Sequence, residues 1–316
     1  MASLVIHGGA GTIPRDSFTP EGYQAARDGL RDALRAGWAV LGKGGLALDA
    51  VEAAVVALEN HPSFNAGHGA VLNAAGDHEL DAGIMDGRTL AAGAICSART
   101  IRNPIRAARR VMEASDCVLI SAAGADAFAK EQNLELVEQS YFTTALRQQH
   151  WKRAEEEKAG LLMRPRSEAE KHGTVGAVAY DDEGNVAAAT STGGYTYKRV
   201  GRVGDTPVIG AGTYARNGVV AVSCTGLGEH FIRRGTAHDI AARIHYRGDS
   251  LADAVNAAIA DLTADGCGGG IIAVDGHGNI AMPHNTEGMY RGSITPNGEL
   301  SVGIYTDDFE LTEQLA

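Results

Sequence analysis

No stretch of this 316-residue sequence approaches the roughly 18–20 consecutive apolar residues that a membrane-spanning helix needs. The opening MASLVIHGGAG has neither the basic region nor the long apolar core of a signal peptide, and it runs straight into a strand-like LVI. Cysteine is scarce. Cys96, Cys117, Cys224 and Cys267 are widely spaced with no CxxC pair, which supports no metal or redox framework and leaves reduced, buried thiols as the expectation. The dinucleotide fingerprint GxGxxG, the zinc motif HExxH and the serine-hydrolase elbow GxSxG are all missing, so HGGAG at His7–Gly11 has no matching nucleophile of the lipase kind. GWAVLGKG at Gly37–Gly44 ends in Gly where a P-loop needs Ser or Thr, and it lies on an amphipathic helix pattern. Basic charge is also in deficit: 28 Lys and Arg against 39 Asp and Glu give a net charge of −11, which disfavours nucleic-acid and anionic-membrane partners. The expectation is a cytoplasmic protein.

What the sequence does have is glycine, 41 residues of it, clustered beside apolar runs as tight turns around a site would require. Leu30, Leu34, Trp38 and Leu41 form one helical stripe, and a second helix is expected over about Leu48–Glu59. Ala91–Cys96 and Val118–Ile120 read as buried strands, and Asn103–Pro104 as a helix start. The basic run Arg106–Arg110 reads as a solvated helix face. From Arg147 to Lys171 the chain is dense in mixed charge, reading as a solvated helix followed by a mobile linker, about 147–173. It gives way at Gly173–Thr174 to VGAVAY, an almost pure strand.

The second half repeats itself at an offset of 94: AVAYDDEGNVAAATSTGG at Ala177–Gly194 and IIAVDGHGNIAMPHNTEG at Ile271–Gly288. Each copy is strand, Gly-Asn turn, strand, which is a hairpin signal because both turn residues tolerate positive φ. Two such hairpins, with helices expected at Gly228–Tyr246 and Leu251–Thr263, predict helices layered outside two packed sheets.

Four short stretches concentrate small hydroxyls, glycines and opposite charges: HGTVGAVA (His172–Ala179), TSTGG (Thr190–Gly194), GRVGD (Gly201–Asp205) and SCTGLGE (Ser223–Glu229). Singly they are a strand start, a surface ion pair and a turn into a helix. Together with HGGAG, PSFNAGHGAV around Asn65, HELDAGIMDG (His78–Gly87) and HNTEGMYRG (His284–Gly292), they resemble the plant-type L-asparaginase/isoaspartyl peptidase family from His7 to about Tyr305.

That resemblance implies an α+β, αββα four-layer sandwich of the N-terminal-nucleophile hydrolases, with residues 1–316 as a single domain. It implies self-cutting between Gly173 and Thr174 into an α subunit 1–173 and a β subunit 174–316, assembled as (αβ)2. Thr174 is then the nucleophile. Its nitrogen, an amide before the cut, becomes an α-amine of ordinary pKa near 7.7–8.0 that can take the hydroxyl proton. By the same resemblance Thr192 tunes the nucleophile, Thr225 and Gly226 form an oxyanion hole and contact substrate, Arg202 clamps an α-carboxylate, Asp205 takes the α-ammonium, and Asn65 positions the region. Catalysis needs no cofactor. A structural sodium ion is implied at the main-chain carbonyls of Leu58, Glu59, His61, Phe64, Ala66 and His68, a loop that otherwise reads as a plain helix C-terminal turn. His7, His172 and His284 are expected in exposed or supporting roles.

The implied reaction is hydrolysis of the β-amide of L-asparagine or of β-aspartyl dipeptides, releasing L-aspartate. Tyr197 stands where relatives often carry Asn, and Leu227 where they are frequently polar. A glycosylasparaginase-like hydrolase is the nearer alternative, disfavoured by TGLGE and STGG in place of TGNGD and STNG; a threonine-aspartase protease would lack Asp205. A non-processing amino-acid-binding protein on the same scaffold is the alternative from a different class.

Overall fold

The computed structural model describes residues 2–159 and 173–315. Its strands alternate in a way that builds four layers. In β1 (Ser3–Gly11), Leu4 and Ile6 point one way, into a core shared with α1 (Pro20–Leu41), α2 (Ala47–Glu59), α3 (Pro104–Ala114) and α4 (Ala122–Glu131), while Val5 points the other way. The same parity holds in β5 (Val175–Tyr180) and β6 (Val186–Thr192): Ala177 and Ala189 face the helices, Val178 and Ala188 the opposite sheet. Side chains two apart share a face, so each strand supplies two cores at once.

The large sheet also contains β2 (Leu80–Asp86), β3 (Ala92–Ala98), β4 (Leu119–Ser121), β11 (Gly288–Ile294), β12 (Glu299–Gly303) and β13 (Glu310–Gln314). Its order is β13-β12-β11-β1-β5-β6-β2-β3-β4, antiparallel except for the β3–β4 pair. The second sheet, with β7 (Thr213–Arg216), β8 (Val220–Gly226), β9 (Gly269–Asp275) and β10 (Ile280–Ala281), runs β10-β9-β8-β7 and is antiparallel. Ile272 and Val274 pack between the sheets, whereas Ile271 and Ala273 face α6 (Gly228–Arg234), α7 (Thr236–Ala242) and α8 (Leu251–Ala264). This is the expected αββα arrangement. Strands β5 and β6, which follow Gly173, sit between β1 and β2, which precede it, so the two halves of the chain share one sheet.

Both repeated hairpins form. Asp181 Oδ1 accepts from the Glu183 and Asn185 amides in one turn, and Asp275 Oδ1 from the His277 and Asn279 amides in the other. The first lies in the large sheet and the second in the small one. Pro104 opens α3 and Ser250 caps α8, as read from the sequence.

Four local expectations are corrected. The helix expected over Gly228–Tyr246 is broken at Gly235, whose φ of +57° ends α6 and starts α7, and it finishes in a π-turn at Arg243–Arg247. The strand near Val118 is not buried: β4 is a sheet edge, with Val118 and Leu119 about half exposed. Cys117 is exposed too, although all four thiols are free. The charged segment after Arg147 begins as α5 (Ala145–Lys158), a docked helix in which Arg147 and Ala154 are buried and Trp151 Nε1 donates to Asn73 O at 2.7 Å. Composition hid this because α5 holds on through one buried guanidinium and one indole, not through an apolar stripe. The rest of the expected linker, 160–172 with His172, lies outside the described residues.

Candidate active site

Thr174 ends the loop into β5, at the centre of the large sheet and facing the small one, with 6% of its surface exposed. Three donors converge on the carbonyl oxygen of Gly173: Thr174 Oγ1 at 2.7 Å, Asn65 Nδ2 at 2.9 Å and Thr192 Oγ1 at 3.0 Å. Thr174 Oγ1 and Thr192 Oγ1 are 3.3 Å apart. Thr192 occupies the last position of β6, where Gly194 N donates to its hydroxyl at 2.9 Å. Asn65, on the loop after α2, also donates to Gly194 O and accepts from the Val71 amide, so its amide plane is held at three corners. A carbonyl facing three donors is polarised towards nucleophilic addition.

Thr174, Thr192, Arg202, Asp205 and Gly226 line one small pocket with Gly173. Its volume is about 10 Å³, room for about one water. Arg202 is bidentate to Glu229, Nε at 2.9 Å and Nη2 at 2.8 Å, and its guanidinium stacks 4.6 Å from the centre of the Tyr195 ring. Burial opposes the Arg202 charge, but the Glu229 hydrogen bonds outweigh it and raise the pKa above the ordinary arginine value. A Cβ on Gly204 would stand 2.9 Å from Nη1, which explains the glycine in GRVGD. Asp205 is buried with its Oδ2 lacking any hydrogen bond, and burial pushes its pKa up to about 7 against the pull of its own backbone amide and Arg202. A buried carboxylate left short of partners is costly unless a cation completes it. Thr225 Oγ1 accepts from Ala10 N at 3.3 Å, joining SCTGLGE to HGGAG. Gly226, at φ +150°, lets β8 turn away beneath the pocket.

His7 is fully buried, not exposed. Its Nδ1 meets Thr174 O at 3.2 Å and its Nε2 meets Ser223 Oγ at 2.9 Å. A carbonyl only accepts, so Nδ1 carries the proton and Ser223 donates to Nε2. Burial drives the His7 pKa down to about 3, which keeps the ring neutral and makes it a fixed strut. His284 is half-buried, its Nδ1 against Thr286 O.

Several supporting residues carried no sequence signal of their own. Glu229 stood inside SCTGLGE and Tyr195 next to TSTGG, but their grip on Arg202 depends on the first turn of α6, 27 residues away, and a loop 7 residues away folding together. Lys198 is wholly buried, with Nζ donating to Glu79 O at 2.8 Å and packed against Gly194. Tyr197 has φ +66°, a left-handed conformation that suits Asn and explains why that residue type fits the position.

In the loop 58–68, Leu58 O accepts from His61 N, Glu59 O from His68 N, and His61 O from Phe64 N. Gly67 and Gly69 sit so close to main-chain oxygens of this loop that added Cβ atoms would fall 2.5 Å from Glu59 O and 2.7 Å from Phe64 O. The Glu59 side chain has separate work: buried, it accepts from Ser191 Oγ, Ile105 N and Asn103 Nδ2.

The family model described as Asparaginase matches residues 1–304. The chain belongs to the asparaginase family. This family member is 47% identical to the isoaspartyl peptidase of Escherichia coli (strain K12) over 310 residues, covering 97% of each protein. It is 46% identical to a putative isoaspartyl peptidase/L-asparaginase of Dictyostelium discoideum, covering 92% of each, and 42% identical to a plant-type L-asparaginase of Pyrococcus abyssi, covering 92% of this chain and 95% of the other. No helix among the described residues of this asparaginase-family chain is long and apolar enough to cross a membrane.

Proposed function

We propose that this amidohydrolase of the asparaginase family cuts itself before Thr174 and then hydrolyses the β-amide of L-asparagine and β-aspartyl dipeptides, releasing L-aspartate. The observation that carries the reading is the Gly173 carbonyl, held by Asn65 and Thr192 with the Thr174 hydroxyl 2.7 Å from its oxygen.

In the cutting step Thr174 Oγ adds to the Gly173 carbonyl carbon, and Asn65 and Thr192 take the negative charge on its oxygen. The C–N bond breaks, the Thr174 nitrogen gains a proton, and water hydrolyses the resulting ester to a Gly173 carboxylate. The freed α-amine is then the base for the same hydroxyl. In turnover Oγ adds to the β-carbonyl carbon of the substrate, and the oxyanion is met by Thr225 Oγ1 and the Gly226 N–H. Ammonia or the dipeptide's second amine departs with a proton, and water releases aspartate and restores Thr174.

Recognition of the aspartyl head group follows from the pocket. Glu229 holds one edge of the Arg202 guanidinium, so its Nη1 side meets an α-carboxylate, and the unsatisfied Asp205 Oδ2 accepts from the α-ammonium. A hard monovalent cation, sodium by the family resemblance, fits the loop 58–68, whose carbonyl oxygens crowd Gly67 and Gly69 and keep a second lone pair for a cation. Held there, it would stiffen the loop that presents Asn65. A cytoplasmic location and an (αβ)2 assembly complete the reading.

Denaturing electrophoresis of the purified 32.9 kDa chain tests it, with sequencing of any fragment and assay on L-asparagine and a β-aspartyl dipeptide. Two bands, one beginning at Thr174, and release of aspartate are expected. A single persistent band would return the protein to the amino-acid-binding alternative.

A further inference from the structure

Beside the small pocket lies a second cavity of about 660 Å³. Its walls include the backbone of Gly8–Gly11, the Tyr290 ring, and two arginines from α5, Arg147 and Arg153. Among the described residues Gly173 alone lines both spaces, standing as a partition between them. The pocket on one side holds Arg202 and Asp205, and among the described residues the mostly glycine and apolar wall of the cavity on the other carries the charges of Arg147, Arg153 and Asp16.

Arg147 is built into this wall. It is 6% exposed, although it sits in the first turn of a helix that is otherwise mostly solvated. Its Nε donates to Gly69 O at 2.6 Å, which fixes the guanidinium plane. Burial lowers its pKa to about 10, which leaves it charged at neutral pH. A buried guanidinium with a fixed plane, on the wall of a cavity, is suited to a planar anion. The volume suits a group larger than ammonia.

We infer that this cavity is the leaving-group subsite, and that Arg147 binds the free α-carboxylate of the second residue of a β-aspartyl dipeptide. The inference rests on the reaction and the Gly173–Thr174 cut proposed above. Once the Gly173 end departs, pocket and cavity become one cleft, with Thr174 at the junction, the aspartyl head towards Arg202 and the leaving residue towards Arg147. L-Asparagine, whose leaving group is ammonia, leaves the cavity unused. The subsite therefore selects dipeptides bearing a carboxylate and gives no hold on ones that lack it.

The test compares β-aspartyl-leucine with its C-terminal amide on the processed wild-type protein, with L-asparagine assayed alongside. The acid is expected to exceed the amide in kcat/KM by about tenfold to a hundredfold, through KM, as one charge-assisted contact to a carboxylate implies. In Arg147→Met that ratio falls towards one, and in Arg147→Lys it is partly restored. A wild-type ratio near one overturns the subsite, and so does a ratio that stays high in Arg147→Met. The ratio is internal to each protein, so incomplete folding of a variant does not distort it, and Arg147→Gln takes the place of Arg147→Met if the latter does not fold. Failure to turn over any of the three substrates overturns the proposed reaction itself, whereas L-asparagine turnover with acid and amide equal overturns only the subsite.

Discussion

Asn65 and Gly173 are 108 residues apart in the chain and joined by a 2.9 Å hydrogen bond from the Asn65 amide to the carbonyl that precedes Thr174. The same amide nitrogen holds Gly194 O, so one side chain ties the proposed cut site to the turn that follows Thr192. Replacing Asn65 with Ala removes a charge-stabilising donor and leaves the Val71 amide without its acceptor. Self-cutting is expected to slow by about 10²-fold or more, with a stability loss of about 1–3 kcal/mol. A gel time course and a urea melt measure the two effects. Cutting at the wild-type rate would remove Asn65 from the proposed oxyanion contacts.

Thr174→Ala is expected to abolish both cutting and turnover, whereas Arg202→Ala should cut normally and lose substrate affinity by about 10²-fold. The distinction lies in geometry: Arg202 lines the pocket but makes no hydrogen bond to Gly173 or Thr174. Normal KM in Arg202→Ala would refute the carboxylate clamp.

Asp205 supplies a pH dependence. Its carboxyl is held up to about 7 by burial, and only the ionised form attracts an ammonium group. On the acid side kcat/KM should therefore carry a component that rises through about 7, beside the one from the Thr174 α-amine, and Asp205→Asn should lose affinity and its own component together. Wild-type and Asp205→Asn profiles of the same shape would mean that Asp205 does not meet the substrate.

Glu59 makes the opposite kind of prediction, about stability. Burial raises its pKa to about 7, while the unfolded chain ionises it near 4.5. The native state therefore binds the extra proton between those values, and stability falls as pH rises from about 4.5 to about 7. Glu59→Gln should lack that component of the decline in a series of denaturant melts. Glu59→Ala orphans the Ser191, Ile105 and Asn103 donors and should cost about 3 kcal/mol at acid pH.

Much of the fold was legible because its signals are local. The offset of 94 between Asp181 and Asp275 marked two hairpins, and the unbroken apolar run VGAVAY marked a strand, which the fold buries on both faces. The helix from Gly228 was misread because a glycine inside an apolar helical pattern does not announce φ +57°. The docking of α5 was missed because Arg147 and Trp151 bury polar-tipped side chains that composition counts as solvated.

By itself the sequence determined the family, the layered αββα class and the short motifs that hold Thr174, Thr192, Arg202, Asp205 and Gly226, since those depend on residue identity and spacing along the chain. The tertiary structure alone decided which donors face the Gly173 carbonyl, that Glu229 grips Arg202, and that Gly173 divides a small pocket from the cavity walled by Arg147. The physical reason is that these relations join residues from β1, the loop after α2, α5 and the ends of β6 and β8, and only the packing of two sheets brings those elements to one point. Thr174 was recognisable as a residue type in a motif. Its surroundings were made by the fold.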